Sequence, residues 1–139
     1  DMLVATCGWH RFGYPDGTFT AEEKKHGIHG GDIETSLMLA GKAETVRMDH
    51  APNATPTTIA MAREFKWLGA YRPAGFAWMT QDLNPSGAVG DATLATAAKG
   101  EAALEHGATA FIELLREIDR FDLSRLREGP LAEPFGPSS

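Results

Sequence analysis

The residues best placed to do chemistry lie in one run, His29-Gly30-Gly31-Asp32-Ile33-Glu34-Thr35-Ser36-Leu37-Met38-Leu39. An imidazole precedes a glycine pair, and carboxylates and two hydroxyls follow at the mouth of an apolar helix. Glycine lets the backbone turn, or approach a ligand, where a side chain would forbid it. A helix mouth exposes amide N–H groups and favours carboxylates or bound anions. A neutral imidazole beside a carboxylate suits either a metal site or proton transfer, and spacing alone leaves both open. His26 precedes His29 by three residues, which on a helix would put both on one face. Gly27 between them favours a loop, so the pair by itself is a weak pointer to metal.

The elements that must position this run can be read from local pattern. Met2 to Cys7 is a short apolar run with Val4 and Thr6, expected as a buried strand. The aromatic, turn-rich stretch Gly8–Gly17 then leaves the strand end, where loops line ligand crevices in open α/β sheets. Thr20 and Glu23 have the spacing of a capping box for a helix ending near Gly27. Asp32 reads as the N-cap of a helix to about Ala40, stopped by Gly41. Thr45 to Met48 suggests another strand, and Thr55-Pro56 opens a helix to about Leu68.

A strand is expected at Phe76–Met79 and a loop over Gln81–Gly87. Asp91 then caps a long helix with Leu104, Ala108, Phe111, Leu115 and Ile118 on one face, and Gly107 inside it implies close packing. The Gly87–Gly90 loop lacks the Lys-Ser/Thr of a P-loop and reads as a helix-entry turn. Few strands alternating with helices indicate an α/β layer fold, here an incomplete portion of one. Residues 1–123 form the domain; 124–139, with three prolines, form a tail that is loose or docked on a partner.

Composition narrows the function classes. At 139 residues the chain can bury one core. A net charge of −6, with no basic run longer than Lys24-Lys25, argues against nucleic acid. No apolar segment approaches the roughly 20 residues that span a bilayer. The single cysteine, Cys7, forms no internal disulfide, so a reducing cytoplasm is the expected compartment. The chain opens at Asp1 without a start methionine, as if a strand were already under way, and reads as a fragment or a processed chain.

Two blocks carry a family resemblance. His29-Gly30-Gly31-Asp32-Ile33-Glu34-Thr35-Ser36 resembles the H-[AG]-G-x-x-E-T-S signature of the creatininase (creatinine amidohydrolase) family. Gly87 to Gly100 is similar to that family's G-x-x-G-[DN]-x-x-x-A-x-x-x-K-G block, in the right order and at the right separation. The resemblance implies a three-layer α/β/α fold, a homohexamer as the usual assembly, and metal-dependent cleavage of a C–N bond in a small, often cyclic amide. Family members run to about twice this length. Their N-terminal half supplies an E-x-H pair, a bridging aspartate and an N-G-H-G-G-N-like block, which hold most of a binuclear zinc or manganese centre. None of those blocks occurs here, so the chain resembles the C-terminal half, its metal pair completed from outside.

Carried onto this sequence, the resemblance makes His29 the proton carrier between attacking water and departing amine; the alternative is a capping or hydrogen-bonded histidine. Glu34 would ligate a metal or brace a ligand, against the plainer role of a first-turn carboxylate favoured by the helix dipole. Trp9, His26 and Gly30 would border the substrate, with Trp9 equally suited to core or interface packing. Lys25 stands where the creatininases proper carry a second tryptophan, which points away from creatinine itself. Thr35 and Ser36 are expected to bond backbone, and Trp78 to pack in the core. His10 and His50 should be solvated, and His106 structural or at the surface. Two other readings remain: a non-catalytic half-domain used for assembly, and a hydrolase of carbocyclic, sugar-like rings.

Overall fold

Small residues decide where the two longest helices meet. The computed structural model describes residues 2–127. In chain order it contains α1 (Ala21–His26), α2 (Asp32–Lys42), β1 (Asn53–Ala54), α3 (Thr57–Glu64), β2 (Leu68–Gly69), β3 (Ala74–Gly75), α4 (Thr80–Leu83), β4 (Gly90–Asp91) and α5 (Ala97–Asp119). Helix α5 buries Gly100, Ala103 and Gly107, a stripe at helical spacing, and α2 lies against it. A methyl group on Gly100 would land on the carbonyl oxygen of Ser36 in α2, and one on Gly107 would land in the indole of Trp9. The close packing expected at Gly107 is therefore present.

The apolar face read from the α5 sequence is not the buried one. Leu104, Phe111 and Leu115 are 44%, 43% and 49% exposed. Only a backbone without side chains can approach another helix this closely, so the small stripe makes the contact and the larger residues stand beside it. Phe111 still meets Phe12 edge-on, with ring centroids 6.4 Å apart.

The strands are short and lie between the helices. β1 pairs antiparallel with β4, Asn53 opposite Asp91 and Ala54 opposite Gly90. β2 pairs in parallel with β3. Ala70, Leu83 and Val89 form a small core, closed by Ile28, Phe76 and Trp78. Trp78 packs there as expected, its Nε1 donating to the Ala70 carbonyl at 2.9 Å. This mixture of helix and strand is an α/β fold.

Several local expectations are corrected. Met2–Cys7 forms no strand: no neighbouring backbone pairs with it among the described residues, and Met2 and Val4 are exposed. Thr45–Met48 forms no strand: 3₁₀ turns at Ala43–Thr45 and Met48–His50 take its two ends, and Val46 between them is extended without a ladder partner among the described residues. Helix α2 runs through Gly41 to Lys42, and its N-cap is Gly31, with Asp32 already inside the first turn. α3 stops at Glu64, with Pro56 at its N-cap. The extended pairing falls at Ala74–Gly75, not at Phe76–Met79. Within the expected Gln81–Gly87 loop, Asp82 accepts from the Met79 amide at 2.7 Å and winds α4. Asp91 caps only a 3₁₀ turn, and Thr96 caps α5 by accepting from the Lys99 amide at 3.3 Å. Of the tail, residues 128–139 lie outside the described residues.

Two glycines of α2 and α5 should respond oppositely to a methyl group. Gly100→Ala forces the helices apart and should cost about 1–3 kcal/mol. Gly41→Ala meets open space inside a helix and should add about 0.5–1 kcal/mol. Urea denaturation of the two variants measures both.

Candidate active site

The mouth of α2 is built by two loops held together through their backbones. Gly27 ends α1, and the chain turns through Ile28 and His29 toward Gly31. His29 bridges Val89 antiparallel: its amide donates to the Val89 carbonyl at 3.2 Å, and the Val89 amide donates back at 2.7 Å. The two blocks singled out in the sequence are thus neighbours in space. Gly30 has φ of 64°, a conformation natural to glycine, and its amide donates to Glu34 Oε2.

A buried ion pair locks the same blocks from below. Asp32 is fully buried, and Lys99 Nζ donates to its Oδ2 at 2.6 Å and to the Leu94 carbonyl at 2.8 Å. Ser36 Oγ donates to Asp32 Oδ1 at 3.1 Å and accepts from the Thr96 amide at 3.1 Å. Thr35 Oγ1 donates to the Gly30 carbonyl at 3.5 Å. Both hydroxyls serve hydrogen bonds, as expected.

A cleft of about 1060 Å³ opens over this mouth. His29, Glu34 and His26 line it together. His29 Nδ1 lies 3.7 Å from Glu34 Oε2, and both side chains are more than half exposed. His26 Nδ1 shares a hydrogen bond with Thr58 Oγ1 at 2.9 Å. Burial, with the Lys25 charge beside it, pushes the His26 pKa below the usual histidine value against an opposing pull from Glu22. Gly30 contributes through its amide and does not line the cleft.

Trp9 stands outside that lining. Its indole rests on Gly107 and meets Tyr14 edge-on, with centroids 6.3 Å apart. Tyr14 does line the cleft, so Trp9 reaches it only through that ring. Of the remaining histidines, His10 is exposed and lines the cleft, His50 is exposed at 3.2 Å from Asp49, and half-buried His106 meets the Phe12 carbonyl at 3.0 Å.

Two groups in the cleft were not singled out in the sequence as site residues. The sequence marks Glu23 only as a capping partner of Thr20. Thr20 does cap α1, accepting from the Glu23 amide at 3.0 Å. The Glu23 carboxylate turns away to the mouth of α2, where it accepts from the Ile33 amide at 3.2 Å and from the amides of Asp91 and Asp32. Side chains on Gly27, Gly31 or Gly90 would collide with it. Burial pushes its pKa above the ordinary glutamate value, with the amides opposing and the Asp32 charge adding. Tyr14 is raised likewise, by burial first and then by the charges of Glu34 and Glu23. Nothing local marks either residue, because the room for Glu23 is completed by Gly90, which is distant in the chain from Gly27 and Gly31.

The cleft thus brings an accessible imidazole, a carboxylate and a phenol together, the groups that acid–base chemistry uses. A divalent metal fits it less well. Among the described residues, no three His, Cys, Asp or Glu side chains converge as a metal ion requires.

The family model described as creatininase, creatinine amidohydrolase, matches residues 1–115. A Bacteroides fragilis protein named as a creatinine amidohydrolase superposes with a TM-score of 0.68 at 27% identity, over 88% of this chain and 46% of its own. A creatininase with one tryptophan replaced by phenylalanine gives 0.55 at 24%, over 78% and 40%. A creatininase with one glutamate replaced by glutamine, complexed with creatine, gives 0.54 at 23%, over 78% and 40%. The chain thus spans less than half the length of the solved structures it matches, and no curated protein matches it significantly.

The lowered His26 pKa has a testable sign. A histidine held neutral by the fold adds stability above its unfolded pKa, and that share is lost as pH falls through the lower folded value. Thermal melts between about pH 7 and about pH 4.5 should show a decline that His26→Gln flattens. An unchanged slope would contradict the assignment.

Proposed function

This chain belongs to the creatininase family and has its α/β fold, and on that premise we propose that it forms part of a hydrolase cleaving the C–N bond of a small amide, with cyclic amides the foremost candidates. The observation that carries the reading is the meeting of His29 and Glu34 at the cleft, on a loop pinned to Val89. His29 is accessible at the cleft with its Nδ1 beside Glu34, so its imidazole can give a proton to the departing amine. Glu34 holds the Gly30 amide and fixes the loop that carries His29. Gly30 supplies that amide, and His26 walls the cleft beside Thr58. Trp9 buttresses Tyr14 from behind.

The described residues do not provide a full metal ligand set. A zinc or manganese pair of the kind the family uses would take most of its ligands from a region outside this chain, with Glu34 as the local contributor. The complete polypeptide, assembled as a homo-oligomer and working in the cytoplasm, is the form to which this reading applies. No helix among the described residues is long and apolar enough to cross a membrane.

A second reading rests on a different observation. Leu104, Phe111, Ile112 and Leu115 leave α5 with an open apolar flank, as befits a half-domain used in assembly. Amide hydrolysis by the complete protein separates the two readings, and a panel of lactams and carbocyclic ring ketones separates amides from sugar-like rings.

In the complete protein, His29→Ala should lower kcat by about 10²–10⁴ while metal content stays unchanged. Glu34→Ala should lower metal occupancy if it ligates; full retention would assign it to bracing the Gly30 loop. A complete protein that binds neither zinc nor manganese and hydrolyses no member of the panel would overturn the hydrolase reading.

A further inference from the structure

The charge of the cleft is opposite to that of the chain. The protein carries 13 Lys and Arg against 19 Asp and Glu, a net charge of −6. Yet five cations, Arg11, Lys24, Lys25, Lys66 and Arg72, line this one cleft, against only two carboxylates. Of those two, Glu23 is already engaged by the amides at the mouth of α2 and Glu34 by Gly30. None of the five cations makes an ion pair with a carboxylate among the described residues. By contrast, Lys99, which lies outside the cleft, is paired with Asp32.

Local structure accounts for part of this cluster. Lys24 and Lys25 occupy the last turn of α1, where cations suit the helix dipole. Lys66 Nζ lies 4.7 Å from the centre of the Trp67 ring. Arg11 sits in the last turn of the short 3₁₀ helix Trp9–Phe12, neither reason applies to Arg72, and the two reach the cleft from separate segments of the chain. Gathering five like charges around one concavity raises its potential and concentrates anions there.

We infer that the cleft takes a small amide whose far end carries an oxyanion, a carboxylate or a phosphate, held by Arg72, Lys25 and their cationic neighbours while the amide lies toward His29. The amide part rests on the hydrolase reading above; the oxyanion part rests on the charge of the cleft alone. Arginine forks match carboxylate and phosphate geometry, and a lysine adds a point charge.

The test compares two probes that differ only in charge. The chain, labelled with ¹⁵N, is titrated with succinamate and with its neutral diamide, succinamide, while backbone amide shifts are followed. Succinamate should bind on the order of ten-fold more tightly and shift the amides lining the cleft. Its advantage should vanish at about 1 M salt, where screening acts over about 3 Å. Inorganic phosphate should compete if the oxyanion alone is recognised, whereas failure to compete would specify a carboxylate.

Arg72→Glu and Lys25→Glu should each abolish the preference, while Lys42→Glu, at the far end of α2, should leave it intact. Circular dichroism confirms that each variant is folded. Equal affinity for both probes, or no shift with succinamate, overturns the inference. Preference for succinamate in a protein whose complete form hydrolyses no amide would sink the hydrolase reading and leave the oxyanion site standing.

Discussion

The arrangement depends on one desolvated carboxylate. Asp32 has no exposure, so its charge must be met inside the protein, and Lys99 meets it from 67 residues away. A buried charge without its partner costs several kcal/mol, so this pair ties the position of α2 to that of α5. Ser36 and Thr96 add a second link between the same helices, and Gly100 lets their backbones touch. Everything at the mouth of α2 inherits that placement, including the loop from His29 to Gly31.

Above this locked base the mouth divides its donors between two carboxylates. Glu23 is buried, takes helix amides and is surrounded by glycines, so it neutralises the positive end of α2 from within. Glu34 is exposed, holds only the Gly30 amide and remains close to His29. One carboxylate therefore serves the scaffold and the other faces the cleft. That division explains how a chain with a net negative charge can present a cationic recess: its nearest acids are already satisfied by backbone.

The motif residues were legible because chemistry and backbone demands coincide there. The His29 to Ser36 run announces a glycine turn followed by a helix, and the structure shows both. The α1 cap at Thr20, the packing of Trp78 and the close approach at Gly107 were legible for the same reason, since each depends on a residue type with few other uses. Other expectations failed where a local signal competed with a distant contact. Asp32 has the chemistry of an N-cap, but Lys99 draws it into the first turn. Asp91 could cap a helix, yet Thr96 lies where α5 begins. The apolar period of α5 predicted a buried face, while the glycine and alanine stripe made the contact.

By itself the sequence determined the α/β class, the two paired blocks, the position of His29 and Glu34 at a helix mouth, and the family to which those motifs belong. These follow from residue type and short spacing, which act through local backbone preferences. Tertiary structure alone decided that Glu23 turns from its own helix into a glycine cradle, that Asp32 and Lys99 join the blocks, and that five cations share one cleft. Such facts depend on segments far apart in the chain meeting in space, and no local pattern encodes the cost of burying a charge until its partner is in place.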